Sequence, residues 1–525
     1  MISSIVGLKR VFPLLIAGLL FFQGIPLSAQ KSDRGLRRIT PELMERHIGF
    51  LASDEMKGRK TPSPELDRAA QYLADEMASL GIAPVGGIRF QEVPLHTKNL
   101  DQEGCLFSIT REGKTNSFRL KTDYTPFDLT ADTLVQGSLV FAGYGITAPE
   151  YGYDDYRDID VRGKIVLVMK HEPGEKDALS RFDGLKETRY SLAATKMENA
   201  RNHGAAGILL VTDPLNHMLL TPQGYPWPGL SKFLPSDNFS IELNQNRDLI
   251  PFVQVGESVL KALFGSVDSL RNIQRRIDTL LTPHSFEFPG TEIRLRTALS
   301  VNHFTAKNVV GMIEGRKRRL KDEVVVIGAH YDHVGSLTQF KEGEDNIFNG
   351  ADDNASGTAG VLAVAGALAT GKKPARSILF ILFAGEELGL YGSRHYCENP
   401  LVPLEQSVVM LNMDMISRNG NDTLQLSGLK YNPDLAAILL EEAEKTELRN
   451  YPEGEDHFQQ SDHFNFFRKG VSSINITTGL HTDYHKVSDD PASVDPAKAA
   501  KVAALVYRVA RRIAGNDIRL KTVNP

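Results

Sequence analysis

The stretch VVVIGAHYDH, residues 324–333, is an unbroken apolar run that ends abruptly in histidine and aspartate. A short run so rich in Val and Ile predicts a strand buried on both faces, as in a parallel sheet covered by helices. The same texture returns in SILFILFA (377–384), SVVMLNMD (407–414) and SSINITTG (472–479). Helical stretches such as Ala355–Ala369 and Pro433–Thr446 lie between these runs. Strands alternating with helices predict an α/β fold with a mostly parallel central sheet and helices on both faces. No internal repeat of solenoid period is present.

Ligands of such sheets bind at the carboxyl ends of the strands. Five potential metal ligands stand there in order: His330, Asp353 in NGADDNASG, Glu387 in FILFAGEELG, Asp414 in VVMLNMDMI and His485 in HTDYHKVSDD. Imidazole and carboxylate together suit zinc or a similar divalent ion, and five ligands exceed the need of one ion. With one bridging carboxylate, the set can hold two ions that activate water and polarise a carbonyl. In extended chain His330 and Asp332 face the same way, so Asp332 can orient the His330 ring, whereas alternation sends His333 to the other face. Asp352 and Asp353 precede a helix: one can serve as a cap, which leaves the other free. Glu386 and Glu387 end so apolar a strand that both need compensation; one can bind metal and the other take a proton from water. Asp414 is the lone charge of its buried strand and needs a cation or strong hydrogen bonds.

The other features bound the function class. Lys9 and Arg10 precede an apolar stretch from Val11 to about Leu27, and Leu27-Ser28-Ala29 gives a small-residue cleavage site before Gln30. This predicts a signal peptide over 1–29 and export to the periplasm or beyond. No later stretch is long and apolar enough to span a bilayer. The 525 residues are too many for one core, and the net charge of −5 argues against nucleic acid as partner. Cys105 and Cys397 are the only cysteines; they form one bridge or remain two thiols, and neither a disulfide framework nor a thiolate metal site. Thr40 can cap a first helix, and a second is predicted from Pro64 to about Leu80, closed by Gly81. Over about 132–295 the texture changes to short strands, an amphipathic helix near Ala193–His203 and a Pro- and Asn-rich stretch at 219–246, which predicts an inserted, mainly-β module. Its Trp227, between prolines, reads as a packed loop anchor.

GAHYDH, GADDNASG, FAGEELGLYGS, LNMDMI and DYHKVSDD together resemble the successive motifs of the M28 family of co-catalytic zinc metallopeptidases. The resemblance spans about Asn308 to Ile513, with Arg37–Leu80 similar to the family's N-terminal helices. The module containing AGYGI, DVRGKIVLV and ARNHGAAGILLVTD is similar to a protease-associated (PA) domain. The family implies a zinc-exopeptidase-like fold with its peptidase part in two segments, 30–131 and 296–525, around a PA domain at 132–295. It also implies two zinc ions held by His330, Asp353, Glu387, Asp414 and His485, with Asp353 rather than Asp352 as the bridge. Glu386 would be the general base acting on a water held between the ions, and Asp332 the acid behind His330. Tyr484 would stabilise the oxyanion. His481 competes for the last ligand position, but His485-x-x-x-Asp489 fits the family spacing better. Asp462 and His463 in QSDHF also resemble a family segment without acquiring a role. The implied function is an exported aminopeptidase acting on peptides. The alternatives are a carboxypeptidase or dipeptidase using Arg59, Arg394 or Arg418, a glutaminyl cyclase, and a non-catalytic binding protein.

Overall fold

The computed structural model describes residues 33–225, 227, 241–244, 248–337, 340–516, 518 and 520. The expected signal peptide, residues 1–29, lies outside the described residues, as does part of the stretch 219–246. Nine strands form the first sheet, in the order Ile241–Leu243, Phe90–Leu100, Leu299–Ile313, Ser377–Phe383, Val324–His330, Ser407–Met413, Ser473–Thr477, Thr423–Ser427 and Arg449–Tyr451. The four from Ser377–Phe383 to Ser473–Thr477, the apolar runs of the sequence, are mutually parallel. Strands joining them on either side run antiparallel, so the sheet is parallel at its centre and mixed as a whole.

Helices cover both faces. Pro41–Leu51, Pro64–Ser79, Gly357–Thr370, Pro433–Glu444 and Pro496–Gly515 contribute to one core. Tyr396, Cys397 and Phe466, from Tyr391–Glu398 and His463–Arg468, pack on the other. The first two helices start as their sequences dictate: Thr40 Oγ1 accepts from the Leu43 N–H at 3.3 Å and Ser63 Oγ from Leu66 N–H at 3.0 Å, each followed by proline at the first helical position. The Gly357–Thr370 helix is apolar all round and buried from Gly357 to Leu368, as a helix enclosed by the core must be.

The second sheet has eight strands in the order Lys114–Phe118, Leu106–Arg111, Ser285–Thr297, Thr133–Ala142, Ile165–Met169, Gly207–Val211, Phe252–Val255 and Tyr124–Pro126. It carries its own apolar clusters and the helices Ala193–Asn202, Glu257–Phe264 and Val267–Leu280. Its strands run from Leu106 to Thr297, a wider span than 132–295. The chain leaves the first sheet after Leu100 and rejoins it at Leu299, which pairs with Leu100, while Asp101 N–H donates to Ala298 O at 2.9 Å; between them Ile241–Leu243 pairs with the outer edge of Phe90–Leu100. Trp227 is buried and its indole N–H donates to Pro126 O at 2.9 Å. Cys105 and Cys397 are separate thiols. Among the described residues no helix is long and apolar enough to cross a membrane.

Candidate metal centre

Adjacent parallel strands deliver the charged groups to one edge of the first sheet. His330 is level with Phe383 in the next strand, and Glu386 and Glu387 follow immediately beyond that strand. Asp414 is the first residue past Ser407–Met413, Asp353 lies in the turn entering the Gly357–Thr370 helix, and His485 lies in the loop after Ser473–Thr477. The Asp353–Asn354 peptide bond is cis.

Asp353 stands between two pairs of groups. Its Oδ1 is 3.4 Å from His330 Nε2, which is 3.2 Å from Asp414 Oδ1. Its Oδ2 is 3.1 Å from His485 Nε2, which is also 3.1 Å from Glu387 Oε2. Ligands tetrahedrally arranged about zinc, at bond lengths of about 2.0–2.1 Å, are separated by about 3.3 Å. Although His485 Nε2 lies so close to both carboxylates, it has no hydrogen-bond partner of ordinary geometry. The spacings and the donor chemistry therefore fit divalent-cation binding around Asp353. His330, Glu386 and Asp414 form one group able to hold a cation, and His333, Asp353, Glu387 and His485 form a second.

Neighbouring side chains orient this set. Asp332 accepts from Thr61 Oγ1 at 2.9 Å and from the Glu386 N–H at 3.2 Å, so it ties the carboxyl end of the His330 strand to the glutamate pair. Ser461 Oγ donates to Asp414 Oδ2 at 2.7 Å, and Thr358 Oγ1 to His330 O at 2.7 Å. Asp489 accepts from the backbone N–H groups of Asp352 and Asp353. Asp352 is occupied elsewhere: its Oδ1 accepts from Ser356 and Ser417. His481 Nε2 lies 3.4 Å from Asp352 Oδ2, outside both groups of candidate ligands.

Burial and charge set the protonation of the centre. Burial would raise the Asp353 carboxyl, but His333, His330 and His485 outweigh it and hold Asp353 well below the usual carboxylate range. Burial opposes a charge on His485, yet the carboxylates of Asp353 and Glu387 lift it to about 10. His330 is likewise raised, by Glu386 and Asp414 against burial. Glu386 is pushed well above the carboxylate range by burial and by Asp414 and Glu387, with His330 working against them.

Residues 308–510 match the model of peptidase family M28, and residues 135–263 match that of the PA domain. Residues 308–510 are an M28 peptidase domain. The chain is similar to aminopeptidase NAALADL1 of Rattus norvegicus, at 28% identity over 459 residues that cover 77% of this chain and 55% of that protein. It is similar to aminopeptidase YwaD of Bacillus subtilis (strain 168), at 27% over 412 residues, 75% of this chain and 73% of that protein. Among solved structures, the aminopeptidase from Aneurinibacillus sp. strain AM-1 aligns over 94% of this chain and 98% of its own, with 19% identity and a TM-score of 0.45. The chain spans 40% and 55% of the mouse and rat NAALADL1 proteins.

In the M28 domain a cleft leads to the centre, lined by His330, Asp353, Glu386, Asp414 and Tyr484 together with polar residues such as Gln425 and Gln460. The Tyr484 ring stacks on His485 at 3.9 Å. A larger cavity of about 580 Å³ lies elsewhere, between the two sheets, around His96, Glu242, His303 and Arg394. The three arginines considered for a substrate carboxylate are absent from the lining of the metal cleft. Arg59 is buried and donates to the carbonyls of Leu51, Tyr331, Asn349 and Gly350; Arg394 pairs with Glu398, and Arg418 with Asp483. Asp462 and His463 are buried, and burial shifts them in opposite senses, to about 7 and about 3. His333 was expected on the far face, but its Nδ1 lies 2.8 Å from Glu387 Oε1. The strand ends at His330, so alternation no longer governs a residue three positions on. Thr61 and Ser461 carried no signal, since single hydroxyls distant in sequence declare nothing until the fold joins them.

Proposed function

We propose that this chain is an exported di-zinc exopeptidase, an aminopeptidase that removes N-terminal residues from peptides. The position of the Asp353 carboxylate between the His330/Asp414 and His485/Glu387 pairs carries this reading. His330, Asp414 and Asp353 would hold one ion, and Asp353, Glu387 and His485 the other. When bound, zinc supplies Lewis-acid polarisation of the scissile carbonyl and makes water acidic enough to lose a proton near neutral pH. Glu386, in the same cleft, is the general base: it accepts that proton and passes it to the departing amine. Asp332 holds His330 and the Glu386 backbone in place, and the Tyr484 hydroxyl donates to the oxygen on which negative charge develops.

The names of the curated relatives point to aminopeptidase, and the cleft supports that choice over carboxypeptidase. Its lining has no Lys or Arg among the described residues, so it offers no side-chain cation to pair with a substrate carboxylate. The lone tryptophan is buried in the insert, away from that lining, which weakens the glutaminyl cyclase reading. The PA unit, expected at 132–295, is proposed to take in the whole second sheet from 106 to 297. Export rests on the N-terminal sequence alone. Dipeptides with free and with acetylated N-termini, offered to the chelated and zinc-restored protein, test the reading. Cleavage confined to free N-termini and restored by zinc is expected; cleavage of blocked peptides from the C-terminal side would overturn it in favour of a carboxypeptidase.

A further inference from the structure

The inserted sheet contains a second constellation of ligand-type side chains, remote in sequence from the M28 centre. Its strands Ile165–Met169 and Gly207–Val211 are parallel neighbours, with Met169 level with Val211. Two residues beyond each strand stand His171 and Asp213, at the carboxyl edge where parallel sheets gather ligands. Four residues further along each loop comes the complementary donor, Glu175 after His171 and His217 after Asp213. Two crossing pairs result: His171 Nδ1 is 2.5 Å from Asp213 Oδ1, and His217 Nε2 is 2.7 Å from Glu175 Oε1. The remaining separations are 3.9 Å from His171 Nδ1 to Glu175 Oε2 and 3.6 Å from His217 Nε2 to Asp213 Oδ2. One donor atom from each of the four side chains lies within 4.8 Å of all the others.

We propose that His171, Glu175, Asp213 and His217 form a structural site for one divalent transition-metal ion, of the zinc class, in the inserted domain. Two imidazoles and two carboxylates are a donor set suited to zinc, and their spacings bracket the roughly 3.3 Å edge of a zinc tetrahedron. Neutral imidazoles and ionised carboxylates give the set two negative charges, which match a divalent cation. Lys196, buried alongside, makes no hydrogen bond to the four donor side chains: its Nζ donates to the backbone oxygens of Tyr144 and His171. An outer partner is in place as well. Gln274 Nε2 lies 3.4 Å from Asp213 Oδ2, and its Oε1 accepts from Leu215 N–H at 2.7 Å, which fixes the amide. The His171 and His217 rings stack at 4.0 Å, which holds the two loops side by side. Asp213 is wholly enclosed while the His217 side chain is 30% exposed, which gives an ion a route in from solvent. Four protein ligands leave no open position, the mark of a site that staples structure; here it would join the two loops following these strands.

The test counts metal on the full chain. After chelation and equilibrium dialysis against zinc, the double variant His171→Asn/His217→Gln should hold one zinc fewer per chain than the wild type. The variant Asp353→Ala/His485→Ala, which leaves these loops untouched, should still retain one tightly bound zinc. Zinc should also raise the temperature at which Trp227 fluorescence reports unfolding in the second variant and not in the first. Equal zinc content in wild type and the His171/His217 variant would overturn the proposal. So would complete loss of zinc from the Asp353/His485 variant, whatever the peptidase activity of either protein.

Discussion

Glu386 and Glu387 are neighbours in sequence whose carboxyls are shifted in opposite directions. Burial pushes both upward, but at Glu387 the hydrogen-bonding histidines His333 and His485 outweigh it and lower that carboxyl. Titratable pairs driven apart in this way mark the division between base and ligand. Glu386→Gln should reduce kcat roughly 100- to 10,000-fold and leave bound metal unchanged, as measured by turnover and metal analysis on the same sample. Ser461→Ala removes the hydrogen bond that orients Asp414, so metal affinity should weaken about 10- to 100-fold in a chelator competition. Two histidines away from the candidate ligands set an acid limit. Burial holds His47 and His463 near 3, so in the folded chain they stay neutral below the ordinary value of 6.5. Their stabilising contribution is complete above pH 6.5 and declines as pH falls toward 3, by about 2 kcal/mol for each group at pH 5. Urea midpoints at pH 7 and pH 5 should therefore differ by less in His463→Gln than in the wild type. At this scale the acids and histidines at strand ends were legible, because a charge ending an apolar run needs a partner. Whether Asp352 or Asp353 joins the cluster of candidate ligands was not legible from the residues alone, because two adjacent acids in a turn differ only in backbone conformation.

The Gly357–Thr370 helix shows why the site needs small residues at an element's start. A Cβ on Gly357 would lie 2.3 Å from Asn354 Oδ1 and 2.4 Å from the Met413 carbonyl, next to the turns carrying Asp353 and Asp414. Gly357→Ala should cost about 1–3 kcal/mol of stability through overpacking and should displace Asp353. Denaturant unfolding and zinc content, measured together, should both fall. The helix itself was evident from its composition, and its start came two residues later than the Ala355 of the sequence reading. The intervening turn takes its shape from Asp489, far along the chain, which accepts the N–H groups of Asp352 and Asp353.

For the molecule as a whole, the paired residues Leu100 and Leu299 mark where the insert joins the M28 sheet. Replacing residues 101–298 by a two-residue Asn-Gly turn would convert these strands into a hairpin. The shortened chain should keep a cooperative unfolding transition and its M28 metal content, although it loses Ile241–Leu243, which covers the edge of the Phe90–Leu100 strand. Loss of metal binding would mean that the insert is needed to form the centre. The sequence places the insert's start at 132, whereas the strands of its sheet begin at Leu106. Leu106–Arg111 and Lys114–Phe118 are short alternating strands that either sheet could accept, and pairing with Ser285–Thr297, distant in sequence, decides between them. The central claim, that the Asp353-centred cluster is a metal-dependent exopeptidase site, is tested most directly by hydrolysis of peptides with free and acetylated N-termini by the chelated, zinc-restored and Glu386→Gln proteins. Hydrolysis of free N-termini alone, abolished by chelation, restored by zinc and lost in Glu386→Gln despite full zinc content, is the expected result. Undiminished hydrolysis by the metal-free protein or by Glu386→Gln would contradict it.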